Sequence, residues 1–402
     1  MKLYRPAIFS TVAAVLLFLW LNPYFAWSLS KYSFFLYTVP LIGIFWYYTP
    51  GIKQNDGIYL MVFICILLIA ALSARSTFNG VISMVILSII PFASSIFLIQ
   101  TYRKFRNIYS VLILVSIIVW ILVMSGFAIP YKMIAPLNNL KDYNYIAYPF
   151  LVTINPSSIE AITLNAFRFC GLFDEPGVVG TISMILLYIE KFDLRKKINI
   201  PILISGLLSM SLFFYLGASI YAMYYLIFVF RSVKKRILFL MVYVLLVAGS
   251  HQSEYINELI WNRVEWNMMD GGGLAGDNRA DYELKTYYRS IVGTGEFWWG
   301  VGDRNVIEKF MGNAGYRNAI FIYGAMACLL YVIFFVLFAF FKIRDRKRGF
   351  LFVVLILITL YQRPSFFYPH YIFMFSMFII MNAARMPQYL RTDGKTHLLP
   401  HD

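Results

Sequence analysis

Apolar residues occupy long unbroken blocks of this chain, separated by short stretches of Lys, Arg, Gly and Pro. Blocks of about 20 residues that are hydrophobic all round have the length an α-helix needs to cross a bilayer. Twelve spans are predicted, near 6–24, 33–49, 57–74, 80–100, 108–128, 176–190, 199–214, 216–230, 237–250, 318–341, 350–362 and 370–384. The 199–230 stretch is long for one helix and short for two, and Gly217 is its expected break. The predicted fold is an all-α polytopic membrane protein of about 12 spans, forming one transmembrane domain over 1–402.

Charge gives this pattern an orientation. If the N-terminus is cytoplasmic, 22 of the 35 Lys and Arg fall in cytoplasmic segments, among them the short loops "TYRKFRN", "RSVKKR" and "KIRDRKR". That is the distribution of the positive-inside rule. Treating 199–230 as a single span would move "KIRDRKR" and the C-terminal tail outside, so two spans are preferred, with both termini cytoplasmic. Two sizeable external loops then remain, 129–175 and 251–317.

Composition narrows the classes further. Only 14% of residues are charged, against about 25% in soluble domains. The net charge of +15 does not signal nucleic acid, because it is carried by the loops that orient helices. Cys65, Cys170 and Cys328 show no metal or disulfide spacing. The first apolar block lacks a small-x-small cleavage site and runs into Tyr24, Phe25 and Trp27, so it reads as an uncleaved helix.

The second outer loop is rich in aromatic and basic residues. "HQSEYINELIWNRVEWNMM" has helical apolar spacing and predicts an interfacial helix. The glycine-rich "DGGGLAGDNRADYE" follows, then "ADYELKTYYRSIVG", a short helix carrying Arg289, then "FWWGVGDRN" with Arg304. Four of the eight Trp lie here. Outward arginines beside aromatics suit an anionic ligand with a flat or sugar-like body, since guanidinium grips phosphate oxygens two at a time. Contact with lipid headgroups and an aromatic belt is the plainer alternative.

The first outer loop ends in "FRFCGLFDEPG", which sets Arg168, Asp174 and Glu175 beside an apolar run. An acidic residue before a first-turn proline is an ordinary helix N-cap, but capping explains neither Arg168 nor Gly171.

Arg168, Gly171, Glu175, Pro176 and Gly180 in "RFCGLFDEPGVVGT" resemble the Arg-x-x-Gly-x-x-x-Glu-Pro-x-x-x-Gly signature of bacterial O-antigen and exopolysaccharide polymerases, the Wzy-type family, which is related to the O-antigen ligases. "NRADYELKTYYRSIVGTGEFWWGVGD" resembles that family's outer-loop arginine region, and "NAGYRNAIFIYGAMA" its entry into the next helix, with Asn313 or Ala314 where an acidic residue is common. The resemblance implies a glycosyltransferase of the bacterial inner membrane. Its substrate would be undecaprenyl-diphosphate-linked repeat units at the periplasmic face, its neighbours membrane lipids and a chain-length regulator protein. It would need no cofactor or metal.

On this reading the growing negative charge of the diphosphate leaving group would meet Arg168, Arg279, Arg289 and Arg304. Glu175, or else Asp281, would take the acceptor proton, with Arg168 and Arg279 completing the catalytic set. An O-antigen ligase would want a histidine late in the outer loop, where Arg317 and Asn318 stand. A lipid-linked oligosaccharide flippase or other transporter would want ionisable residues within its spans, which are nearly bare of them.

Overall fold

The computed structural model describes residues 6–49, 54–75, 81–136 (less 83, 85 and 86), 144–155, 168–262, 266–267, 273–274, 282–310, 315–363 and 367–383. The chain is mostly helical; most of its longer helices fall where the apolar blocks lie, whereas the expected 80–100 span is interrupted by a turn at 90–94 and three short helices lie within 282–309. In order the helices are α1 Pro6–Leu19, α2 Val39–Tyr47, α3 Gln54–Ser73, α4 Ser95–Met124, α5 Pro176–Ile189, α6 Asn199–Leu208 and α7 Leu212–Tyr224. After them come α8 Val233–His251, α9 Tyr282–Ile291, α10 Gly295–Trp299, α11 Arg304–Lys309, α12 Tyr316–Lys342, α13 Arg346–Gln362 and α14 Pro369–Asn382. Among the described residues four helical segments are long and apolar enough to cross a membrane: 56–73, 95–124, 212–229 and 316–342.

Two short helices form the centre. Thirteen of the 14 residues of α5 are buried, and 11 of the 14 in α14. A helix that is apolar all round is one enclosed by other helices. At 1.5 Å per residue, 14 residues reach about 21 Å, against a hydrocarbon core of about 30 Å. Neither helix alone is long enough to span such a core.

Contacts between distant segments define the two ends of the bundle. At one end Lys342 pairs with Asp56 at 2.9 Å, Arg106 with Glu190 at 2.6 Å, and Ile343 bridges Ala383. At the other, Trp20 meets Tyr368 edge-on, Tyr316 stacks on Tyr361, and Arg363 reaches Glu175.

Three features differ from expectation. First, "TYRKFRN" is not a loop but lies inside continuous α4, and the chain turns at Ala93–Ser94 instead. Its long basic side chains reach the bundle end from the helix wall: Lys104 Nζ donates to the Ala7 carbonyl and to Thr11, and Arg106 to Glu190. Second, the break in 199–230 falls at Ser209–Ser211, not Gly217. Gly217 serves close packing within α7, because a Cβ there would lie 2.8 Å from Met184 Cγ, and its carbonyl accepts from Tyr188 Oη at 2.7 Å. Third, the segment after α4 contains a small antiparallel sheet, β1 Lys132–Ile134, β2 Tyr145–Tyr148 and β3 Leu151–Ile154, in the order β1-β2-β3.

Candidate functional site

The five signature residues gather where α5 begins, and each position has a physical reason. The sheet holds the turn before α5: Val152 N–H donates to the Gly171 carbonyl at 2.7 Å, Tyr145 Oη to that of Asp174 at 2.6 Å, and Tyr24 N–H to that of Leu172 at 2.8 Å. Gly171 has φ +59° in this turn, and a Cβ would press on Ile113 at 3.0 Å. Only glycine adopts that conformation without strain.

Arg168 is buried and grips the α6–α7 break. Its Nε donates to the Ser209 carbonyl at 3.1 Å and its Nη2 to the Met210 carbonyl at 2.9 Å. Those carbonyls end a helix, where a cation is favoured by the dipole. Gly180, one turn into α5, admits the same break: a Cβ there would overlap the Ser211 side chain. Arginine and glycine thus set the height at which α6 stops, about 15 Å along its 10 residues.

Glu175 is the N-cap residue and Pro176 occupies the first helical position, as the sequence predicts. Its carboxylate, however, makes no capping hydrogen bond. It is reached instead by Arg363 Nη1, 3.1 Å from Glu175 Oε2. Arg363 caps the end of α13, and its Nε lies 3.4 Å from Thr181 Oγ1. Its side chain is only 8% exposed, whereas that of Glu175 is 35% exposed. Burial works against the Arg363 charge, but Glu175, Tyr371 and Asp174 together outweigh it, so the guanidinium pKa rises. Arg363 Nη2 is buried and has no hydrogen-bond partner among the described residues.

His370 stands one residue into α14, buried and 4.5 Å from the Tyr371 ring, with Nδ1 unpartnered among the described residues. The N-termini of α5 and α14 both open at this end of the bundle. Each carries about half a positive charge, which adds to Arg363 and Arg168. The buried Arg363 guanidinium thus stands beside two partly exposed carboxylates, Asp174 and Glu175, at the N-terminal ends of two buried helices.

The other predicted residues do not all meet here. Arg279 and Asp281 lie outside the described residues, and of Arg304 only the backbone is described, at the start of α11. Arg289 is exposed on α9, which packs on α10 and α12. Leu284, Ile291, Ile307, Phe310 and Phe321 make a small separate core that ties α9 and α11 to α12. The Gly-x-Gly turn is locked into a break in α12 at Gly324, whose φ is +78°. A Cβ on Gly324 would overlap the Trp298 carbonyl, and one on Gly300 would lie 2.7 Å from that of Ile322. Trp298 and Trp299 stay exposed beside it.

Arg363 is the residue that sequence reasoning passed over. It is the one basic residue in the short "YQRPSFFYPH" turn between two apolar blocks, and that isolation is the signal that could have found it. No family model, curated protein or solved structure matches this chain.

Proposed function

We propose that this chain is a glycosyltransferase that polymerises undecaprenyl-diphosphate-linked oligosaccharide repeat units into a surface polysaccharide. In this reading it spans the bacterial inner membrane about 12 times, with the Glu175 end facing the periplasm and the basic end facing the cytoplasm. The observation that carries the proposal is the Glu175–Arg363 pair at the N-terminal ends of two buried helices, seated on the Arg168 and Gly180 contacts.

The chemistry follows from that arrangement. The lipid diphosphate approaches the N-terminal end of α5 and takes hydrogen bonds from Arg363, whose buried Nη2 has no partner among the described residues. As Arg363 turns to the phosphate, the Glu175 carboxylate is released toward the acceptor sugar. The acceptor hydroxyl attacks the anomeric carbon of the growing glycan and its proton passes to Glu175. The bond from that carbon to the diphosphate breaks, and its electron pair leaves with undecaprenyl diphosphate. Arg363 and the two helix N-termini oppose the charge that grows on the leaving oxygen. Arg168 positions the floor, and outer-loop arginines such as Arg289 are left to steer the substrate. A chain-length regulator would act from outside this machinery.

The test is surface glycan from cells lacking the gene, with and without the wild-type copy. Single repeat units on the surface lipid, with the ladder restored by complementation, support polymerisation. Long glycan stranded on its carrier would mean a ligase instead, and repeat units trapped on the cytoplasmic side a flippase.

A further inference from the structure

A second site lies at the opposite end of the bundle and owes nothing to the glycan reading. A cavity of about 700 Å³ opens there between the wall of α4 at Tyr102, Arg103 and Arg106, the C-terminal ends of α5 and α14, and the start of α13. Six cations line it, Arg103, Arg106, Lys191, Arg195, Lys196 and Arg348, against three carboxylates, Glu190, Asp193 and Asp345, an excess of three positive charges.

The carboxylates are occupied. Glu190, with 1% of its side chain exposed, takes Arg106 at 2.6 Å and Lys196 at 2.9 Å. Asp193 takes Arg195 at 2.7 Å, and Asp345 accepts the Lys347 backbone N–H at 3.0 Å as the cap of α13. Arg348 is held differently, over the Tyr224 ring at 5.3 Å with Nη1 3.4 Å from Tyr221 Oη, and has no carboxylate partner among the described residues. An aromatic face holds a guanidinium in place without neutralising it, leaving N–H donors for an incoming anion.

The backbone of the cavity wall carries a second sign. After Glu190 the chain closes α5 with Lys191 at φ +61° and Phe192 at φ +51°. Phe192 N–H bonds back to the Leu187 carbonyl at 2.8 Å, the geometry of a helix end that ordinarily uses glycine. Two side-chain-bearing residues in the left-handed region are strained, and strain retained in a cavity wall marks a place selected for something besides stability. What it does here is set the Lys191 backbone at the cavity wall and lay Phe192 on Tyr221 at 4.4 Å.

We propose that this cavity binds a phosphate group, presented either by the headgroup of an anionic phospholipid or by a soluble phosphorylated anion. The paired carboxylates fix the shape, and Arg348, held on an aromatic face, supplies the charge that meets the anion.

The experiment uses the full-length chain in nanodiscs and reads thermal unfolding and retained lipid by mass spectrometry. One arm compares discs of phosphatidylcholine with discs containing one quarter phosphatidylglycerol. The other adds pyrophosphate to phosphatidylcholine discs. Arg348→Gln is the cavity variant, Arg348→Lys its conservative partner, and Lys234→Gln/Lys235→Gln on α8 the control that removes surface charge elsewhere. Wild type is expected to gain several degrees from one of the two probes. Arg348→Gln should lose at least tenfold in affinity for it, Arg348→Lys less, and the control nothing. A gain from phosphatidylglycerol assigns a lipid headgroup, and a gain from pyrophosphate a soluble anion. Equal losses in Arg348→Gln and the control, or no response to either probe in a wild-type protein that unfolds cooperatively, would overturn the proposal. Lys191→Gly keeps the test independent of folding: it relieves the strained turn, so it should unfold no earlier than wild type yet bind the probe more weakly.

Discussion

Glu175→Gln tests whether the ion pair at the mouth of α5 and the reaction share one carboxylate. The substitution keeps an oxygen facing Arg363 and removes only the charge. Breaking a fully buried pair costs about 3–5 kcal/mol, because the remaining charge is left uncompensated. Arg363 is almost completely enclosed, but Glu175 keeps 35% of its side chain exposed, so water can reach the contact. The discounted expectation is a loss of about 2 kcal/mol. Arg363→Met fills the same volume with apolar atoms and leaves a carboxylate that water can solvate, so it should cost about 1–2 kcal/mol. If the two side chains act on each other, the double variant should lose less than the sum, with a coupling of about 1–2 kcal/mol. The assay is unfolding in mixed micelles for the four proteins of the cycle, run beside the glycan ladder in cells. All three variants should fail to make the ladder, and the double variant should do so while nearly as stable as the better single one. Additive losses would falsify the pair as a stabilising contact. A ladder made by the folded double variant would remove Glu175 and Arg363 from the chemistry.

Three further outcomes follow from the same geometry. Arg168→Lys keeps the charge but cannot donate along both directions of the guanidinium fork, so the α6–α7 break should loosen at a cost of about 2 kcal/mol, read as a lower unfolding midpoint. Gly180→Ala places a methyl group where Ser211 sits and should cost about 1–3 kcal/mol, whereas Gly293→Ala, with open space around it, tests backbone strain alone. The third concerns acid. Burial would raise the Glu190 pKa, but Arg106 and Lys196 together outweigh it and hold the carboxyl below its ordinary range. A depressed folded-state pKa gives stability that is present above the unfolded value and lost as pH falls through the folded one. Unfolding temperature should therefore be insensitive to pH near neutrality and fall as pH drops below the ordinary carboxylate range, and Glu190→Gln should flatten that acid limb; an unchanged limb would refute the assignment.

The extent to which the sequence anticipates this structure depends on the range of the interaction involved. Apolar blocks report a local property, burial all round a helix, and they locate most helices to within a few residues. Clustered basic residues suggest a loop, and in α4 that fails, because Lys104 and Arg106 have stems long enough to reach the bundle end from a continuous helix. Glycine suggests a break, and in α7 that fails as well: Gly217 is small because Met184 and Tyr188 press on it, while the real break at Ser209–Ser211 contains neither glycine nor proline. It is stabilised from 41 and 42 residues away by Arg168, a partnership no local pattern displays. The candidate site shows the same division. Glu175 stood out because a carboxylate beside an apolar block is costly, yet its partner lies 188 residues further on. This separation also divides the labour within the signature. Arg168, Gly171 and Gly180 are explained by backbone carbonyls, a left-handed turn and a close helix contact, so they build the seat. Only Glu175 keeps its polar atoms turned to a partner that a ligand could displace. If so, substitutions at the seat should lower stability and activity together, whereas substitution at Glu175 with Arg363 neutralised should remove activity from a protein that still folds.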